Sequence, residues 1–520
     1  MLFLPQISLA LSVFLHLQPA IAGGPRCIPE TVRTSSGRII GHASSWQPEV
    51  SEYLGIPYAK KPKRFEAAKP IKGYRHRIIK ADKSCPANLA TVNASDTSGA
   101  GKLLQVLSQV NETSSEDCLH LNVWTKPQAG EKKKAVMIWI HGGGFNTGSG
   151  ASPVYNGARL ANDQDVVVVS MNYRLNIFGF PSAPDLAAQN LGLRDQRLAV
   201  EWARDNVKAF GGDPDRMILF GESAGAASVD LYSYAYKEDP IVTGFIAQSG
   251  VASNRGVTID TVRDAWYEAS AKIGCGGASV GNKTVACMQR KTTQQILDAT
   301  RPNGTVPALG STPFTPVADG DIVFSDYEAR RNRGDFIQAP VLIGNNDNEG
   351  GIFIVIANAA GSPVNVNATL AIVNQQFTCG SKAAVNGRVN AGVPAWRYRY
   401  YGEYDNQDIG VKGAWHGSEL AMVFGTAELT SKEPNSPEQD RLMKSMMSAW
   451  ASFAKNPSGG LTALGWPAYK DDEPTLVRLG NENAAEPNFG PNAEHDGICG
   501  NSTATRRSVR SEKRLERFLF

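Results

Sequence analysis

Residues 216–228 read RMILFGESAGAAS: an apolar run, a serine bracketed by glycines at Gly221 and Gly225, then a run of small residues. This stretch constrains the chain more than any other. It asks for a strand that ends in a turn too tight for side chains on either flank, followed at once by a helix. Such a turn lifts Ser223 clear of the sheet edge and sets its hydroxyl near a helix N-terminus, where partial positive charge favours an alkoxide-like state. A serine in a tight turn can also be purely structural, so the motif must be weighed with its surroundings.

Those surroundings alternate strand and helix patterns from about residue 132 onward. KAVMIWIHGGGF and DVVVVSMNYR are apolar, β-branched runs closed by turn residues, as buried strands are. GLRDQRLAVEWARDNVKAFGGDP follows with helical spacing and a Gly-Gly-Asp-Pro stop. RMILF, GFIAQSG, APVLIGNNDNEG and WRYRYYGEY read as later strands, and AGAASVDLYSYAY as a helix. The order predicts an α/β fold with a mostly parallel sheet covered on both faces. The spans 255–309 and 351–393 read as long polar excursions from one scaffold, so residues 23–520 are taken as a single domain.

The bulk numbers exclude several classes. With 520 residues, 42% hydrophobic and 20% charged, the chain has ample material for a core. A net charge of +3 gives no electrostatic footprint for nucleic acid. The basic cluster RRSVRSEKRLERF near the end includes two glutamates and reads as a solvated tail or terminal helix. Residues 1–22 carry an apolar run and a small-x-small close at Ala20-Ile21-Ala22, the pattern of a cleaved signal peptide. No later run suggests stable membrane insertion. Sequons at Asn93, Asn111, Asn282, Asn303, Asn367 and Asn501, and seven cysteines (Cys27, Cys85, Cys118, Cys275, Cys287, Cys379 and Cys499), agree with a secreted, glycosylated protein. No C-x-x-C supports a metal ribbon or redox site.

HGGGF at 141–145 ends a strand upstream of the serine. Tandem glycines leave backbone N–H groups free to converge, so Gly143, Gly144 and Ala224 form a candidate three-donor oxyanion hole. A serine nucleophile needs a base, and only His416 and His495 follow it in the chain. His416 opens an apolar segment, whereas His495 lies in polar NAEHDG. The acid belongs after an intervening strand, where the pattern leaves Asp347 and Glu349 open.

Together YLGIPYA, SEDCLHLNVW, IHGGGF, VVVVSMNYRLNIFGF, FGESAGAAS, FTPVADG and WHGSEL, in this order over residues 53 to about 425, resemble the type-B carboxylesterase/lipase family, which includes cholinesterases and fungal secreted esterases. The resemblance implies the α/β-hydrolase fold and a Ser223–His416–Glu349 triad acting on carboxylic esters through an acyl-enzyme, without metal or organic cofactor. It implies Glu222 and Ser249 as supporting neighbours, and disulfides Cys85–Cys118 and Cys275–Cys287. Cys27, Cys379 and Cys499 then remain, with Cys379–Cys499 one way to pair two of them. Two departures stand out. The stretch between GIPYA and RF is cut to KKPK, which alters the rim of the site. The segment between Cys85 and Cys118 holds no Trp, Tyr or Phe, so the aromatic that would hold a quaternary ammonium by cation–π attraction is missing. The expected partner is therefore a small-molecule ester. Rival readings are an acyltransferase on the same triad, a lipase and an inactive binding module, and the oligomeric state is left open.

Overall fold

The computed structural model describes residues 31–71, 83–88, 113–127, 132–252, 257–301, 312–359 and 364–499. Residues 1–22, Cys27, the sequons at Asn93, Asn111, Asn303 and Asn501, and the basic tail lie outside them.

Eleven strands form one sheet: β1 (His42–Ala43), β2 (Ser51–Pro57), β3 (His120–Thr125), β4 (Lys134–Ile140), β5 (Val167–Met171), β6 (Gly212–Glu222), β7 (Gly244–Gln248), β8 (Val341–Asn346), β9 (Ala395–Tyr400), β10 (Leu476–Leu479) and β11 (Asn488–Gly490). Their spatial order is β11-β10-β9-β8-β7-β6-β4-β5-β3-β2-β1. Every pairing from β5 through β10 is parallel, while β1, β2, β3 and β11 join antiparallel at the edges. The sheet is thus mixed, with the expected parallel layer at its centre.

Central strands are apolar on both faces because both faces are covered. In β4, Val136, Ile138 and Ile140 enter one core while Ala135, Met137 and Trp139 enter another. The helices α1 (Leu191–Asn206) and α2 (Ala224–Ala235) supply Val200, Trp202, Val229 and Leu231 to the first. Opposite them, α5 (Pro437–Lys455) supplies Leu442, Met446, Met447, Trp450 and Phe453 to the second. Each such side chain contributes roughly 1.5–3 kcal/mol on burial.

The span 351–393 differs from its reading as a polar excursion. It folds into α3 (Gly351–Ala359) and the 25-residue α4 (Val366–Asn390). Ile352, Phe353, Ile354, Val355 and Ile356 are all buried, which a run apolar on every side permits only inside the structure. The span 255–309 likewise holds helices at Ile259–Lys272, Lys283–Met288 and Thr293–Ala299. Among the described residues three disulfides close the chain: Cys85–Cys118, Cys275–Cys287 and Cys379–Cys499. No helix among the described residues is long and apolar enough to cross a membrane.

Candidate active site

The chain leaves β4 to pair β5 on one side and returns to place β6 on the other. A crevice opens at the carboxyl ends of strands where the winding reverses in this way. Ser223 follows β6 there, and the glycines of residues 142–144 follow β4.

Ser223 holds φ 56° and ψ −121°, a conformation costly for a side-chain-bearing residue. Its N–H donates to Gln248 O at 2.8 Å, and its carbonyl accepts from Ala227 N at 2.9 Å, so strand and helix fix the turn from both ends. A Cβ on Gly225 would lie 2.0 Å from Ile140 O, so only glycine lets α2 start this close to β4. The glycine loop presses equally hard: a Cβ on Gly142 would lie 2.5 Å from Glu222 Oε2 and 3.0 Å from Ser223 Cβ. Gly143 and Gly144 then turn through φ 103° and 62°. Ala224 opens α2, where the first N–H groups have no partner within the helix. Among the described residues, the N–H groups of Gly143, Gly144 and Ala224 donate to no protein acceptor.

His416 lies in the loop after β9, 4% exposed. Its Nδ1 meets Glu349 Oε2 at 2.5 Å. Glu349, fully buried after β8, also accepts at Oε1 from Ser249 Oγ at 2.7 Å and from Asn346 N at 2.6 Å. The structure separates the two candidate acids. Asp347 points the other way, accepting from Arg399 Nε at 3.0 Å. His495 is also removed from this group: its Nε2 shares a 2.6 Å hydrogen bond with Tyr401 Oη. His141 is structural, buried with Nδ1 2.8 Å from Gly142 O, and burial drops its pKa to about 4.

His416 Nε2 lies 3.0 Å from Glu222 Oε1. No hydrogen bond joins it to Ser223 among the described residues. Burial pushes the Glu222 carboxyl up to about 8, with His416 opposing and Glu419 and Glu349 adding to the rise. Burial works against charge on His416, but Glu222 and Glu349 outweigh it and carry the imidazole to about 9. Glu349 at Nδ1 and Glu222 at Nε2 thus face the imidazole from both sides, and their carboxyl groups offset the cost of burying a charge on it.

Several neighbours escaped the sequence reading. Glu419, three residues after His416, accepts from Gln248 Nε2 at 3.0 Å and Asn346 Nδ2 at 2.6 Å. Gln248 in turn accepts from Trp450 Nε1 at 2.9 Å, which ties the group to α5. Phe353 and Phe377 flank the imidazole, with ring centroids 5.5 and 4.8 Å away. They belong to an apolar cluster with Ile352, Val355, Ile356 and Val373.

Sequence comparison bears on the same group. The profile of a family described as the carboxylesterase family matches residues 29–375 and 359–495. Secreted lipase 5 of Gibberella zeae is 34% identical, covering 92% of this chain and 95% of its own length. Chlorogenic acid esterase of Aspergillus niger is 32% identical over 86% of this chain and 89% of its own. Acetylcholinesterase of Bungarus fasciatus is 30% identical over 83% and 80%.

Proposed function

The chain belongs to the carboxylesterase family and is a serine ester hydrolase; on that premise we propose that Ser223, His416 and Glu349 carry the reaction in a secreted, glycosylated protein. His416 sheds its proton and takes that of Ser223 Oγ as the oxygen attacks an ester carbonyl. Glu349 fixes the imidazole tautomer through Nδ1 and stabilises the imidazolium that forms. The N–H groups of Gly143, Gly144 and Ala224 receive the negative charge of the tetrahedral intermediate, each worth about two to three orders of magnitude in rate. The alcohol leaves with the proton from His416, and water repeats the sequence on the acyl-enzyme.

One observation carries the assignment: the 2.5 Å bond from His416 Nδ1 to a fully buried Glu349, in a crevice where the glycine loop touches the Ser223 turn. His416 Nε2 faces Glu222 at rest, and its hydrogen bond to Ser223 is expected to form in the substrate complex, because catalytic hydrogen bonds commonly tighten only with substrate bound. Phe353 and Phe377 beside the base favour a substrate with an apolar or aromatic group at the reacting ester. The aromatic-free Cys85–Cys118 segment argues against a choline ester. Secretion draws support from the signal-like residues 1–22 and from a relative named as a secreted lipase.

The test is hydrolysis of nitrophenyl esters by the purified protein. Ser223→Ala and His416→Ala each reduce kcat by roughly four orders of magnitude or more. An aryl ester is preferred to a choline ester by kcat/KM. Full activity in Ser223→Ala would remove the reading. Product analysis with a competing alcohol separates hydrolysis from acyl transfer.

A further inference from the structure

A cavity of about 660 Å³, lined by none of the proposed catalytic residues, lies between α4 and residues 493–499. Such a volume suits a ligand of one or two rings. Its α4 wall is built from Leu370, Ala371, Asn374 and Gln375, and the opposite wall includes His495 and Ile498. Gln375 Nε2 closes the far end by donating to Ile498 O at 2.8 Å, and Cys379–Cys499 pins the two walls together one turn further on.

The charges within reach cancel. Arg399 is bound to Asp347, and Glu494 to Arg478 at 3.2 Å. A free anion or cation therefore finds no unmatched partner. A neutral ligand rich in hydroxyl and amide groups finds donors and acceptors over an aliphatic floor. Among the large apolar side chains that stay exposed, Ile498 at 46% lines this cavity. Carbon–hydrogen faces of a sugar ring match such side chains.

The helix itself points to the occupant. Asn367, Leu370, Ala371, Asn374 and Gln375 follow at i, i+3, i+4, i+7 and i+8 and so share one face of α4. Asn367 is exposed and begins the sequon Asn-Ala-Thr, whose Thr369 is turned inward and fully buried. At 1.5 Å per residue the cavity begins about 5 Å from Asn367 and ends about 12 Å from it.

We propose that this cavity is the seat of the chain's own Asn367-linked glycan, whose proximal acetamido-sugars lie along α4 between Leu370 and Ile498. The tether raises the local concentration of the sugar to about the millimolar range, so weak contacts suffice to keep it docked. The docked glycan braces the walls that hold both shoulders of the catalytic acid. Arg399 donates to Asp347 O at 3.0 Å, and Asn374 Oδ1 accepts from Gly350 N at 3.1 Å.

The proposal rests on the secretion reading, and one experiment separates the two. The full chain is secreted from a eukaryotic host, and its glycans are mapped by peptide mass and released from the native protein with a peptide amidase. Asn282, exposed outside the cavity, is the internal reference. Asn367 is expected to be occupied, and its native-state release to rise about tenfold in Ala371→Arg, which fills the cavity from an exposed position, while release at Asn282 is unchanged. Gln375→Ala, which removes one donor, gives a smaller rise in the same direction, and thermal midpoints check that both variants fold. An Asn367 that stays unmodified while Asn282 carries a glycan overturns the proposal and leaves secretion standing. Release at Asn367 indifferent to both substitutions overturns it as well. A secreted chain with no glycan at any sequon removes both glycan claims, and a chain that is not exported removes the secretion reading with them.

Discussion

In the proposed triad His416 is the residue on which the site turns, because it must be neutral to act as a base and its surroundings favour the proton. Glu222 and Glu349 hold it near 9 against the opposing effect of burial. The account therefore predicts that kcat/KM rises with pH through a midpoint well to the alkaline side of the ordinary imidazole value of about 6.5. Glu222→Gln removes one source of that negative potential and moves the midpoint to lower pH; an unchanged or higher midpoint would contradict the role given to Glu222. Stability carries a related sign. Glu222 keeps in the fold a proton that the unfolded chain loses above about 4.5, and His416 keeps one lost above about 6.5. Unfolding free energy from this group therefore declines as pH rises from 4.5 through 9. In Glu222→Gln the decline below 8 flattens, measurable as a smaller change in Tm between pH 5 and 8. Ser223 and His416 were legible in the sequence because a local motif and chain order fix them. Glu349 and Asp347 were not separable by pattern, since both follow the same strand and only the direction of each side chain divides them. Glu419 and Phe377 were invisible for a similar reason: their contacts arise from packing between distant segments.

At the scale of elements, β4, β6 and α2 were legible because each carries one unbroken periodicity. The helices α3 and α4 were not, since IFIVIANA shows no amphipathic stripe once buried all round, and α4 mixes polar and small residues along most of its length. One of the contacts that hold α4 against α2 is a buried ion pair. Arg388 Nη2 donates to Asp230 Oδ1 on α2 at 2.6 Å, and Asp230 Oδ2 also accepts from Ala252 N at 2.8 Å. Asp230→Asn leaves the Arg388 charge buried without its counter-ion, at a cost of about 3–5 kcal/mol. Denaturant unfolding should show a loss of that order, and a loss under about 1 kcal/mol would mean that α2 and α4 are held by apolar packing alone.

Over the whole molecule, the parallel centre of the sheet and the family were readable from motifs in order, while the antiparallel edges were not, because short strands such as His42–Ala43 carry too little pattern. The Cys379–Cys499 bridge spans 120 residues and fastens the last described turn to α4. Loop-entropy arguments give such a closure roughly 5 kcal/mol, with measured losses commonly about 2–5. The Cys379→Ser/Cys499→Ser double variant should lose stability in that range yet keep its reactive serine, since the bridge lies outside the catalytic crevice. The central claim is that Ser223, His416 and Glu349 form one working nucleophile, and its most direct test is fluorophosphonate labelling of the folded protein, mapped by peptide mass. The account predicts a single adduct on Ser223, lost in His416→Ala and weakened in Glu349→Gln. A folded protein that takes no label, or takes it on another residue, would contradict the account.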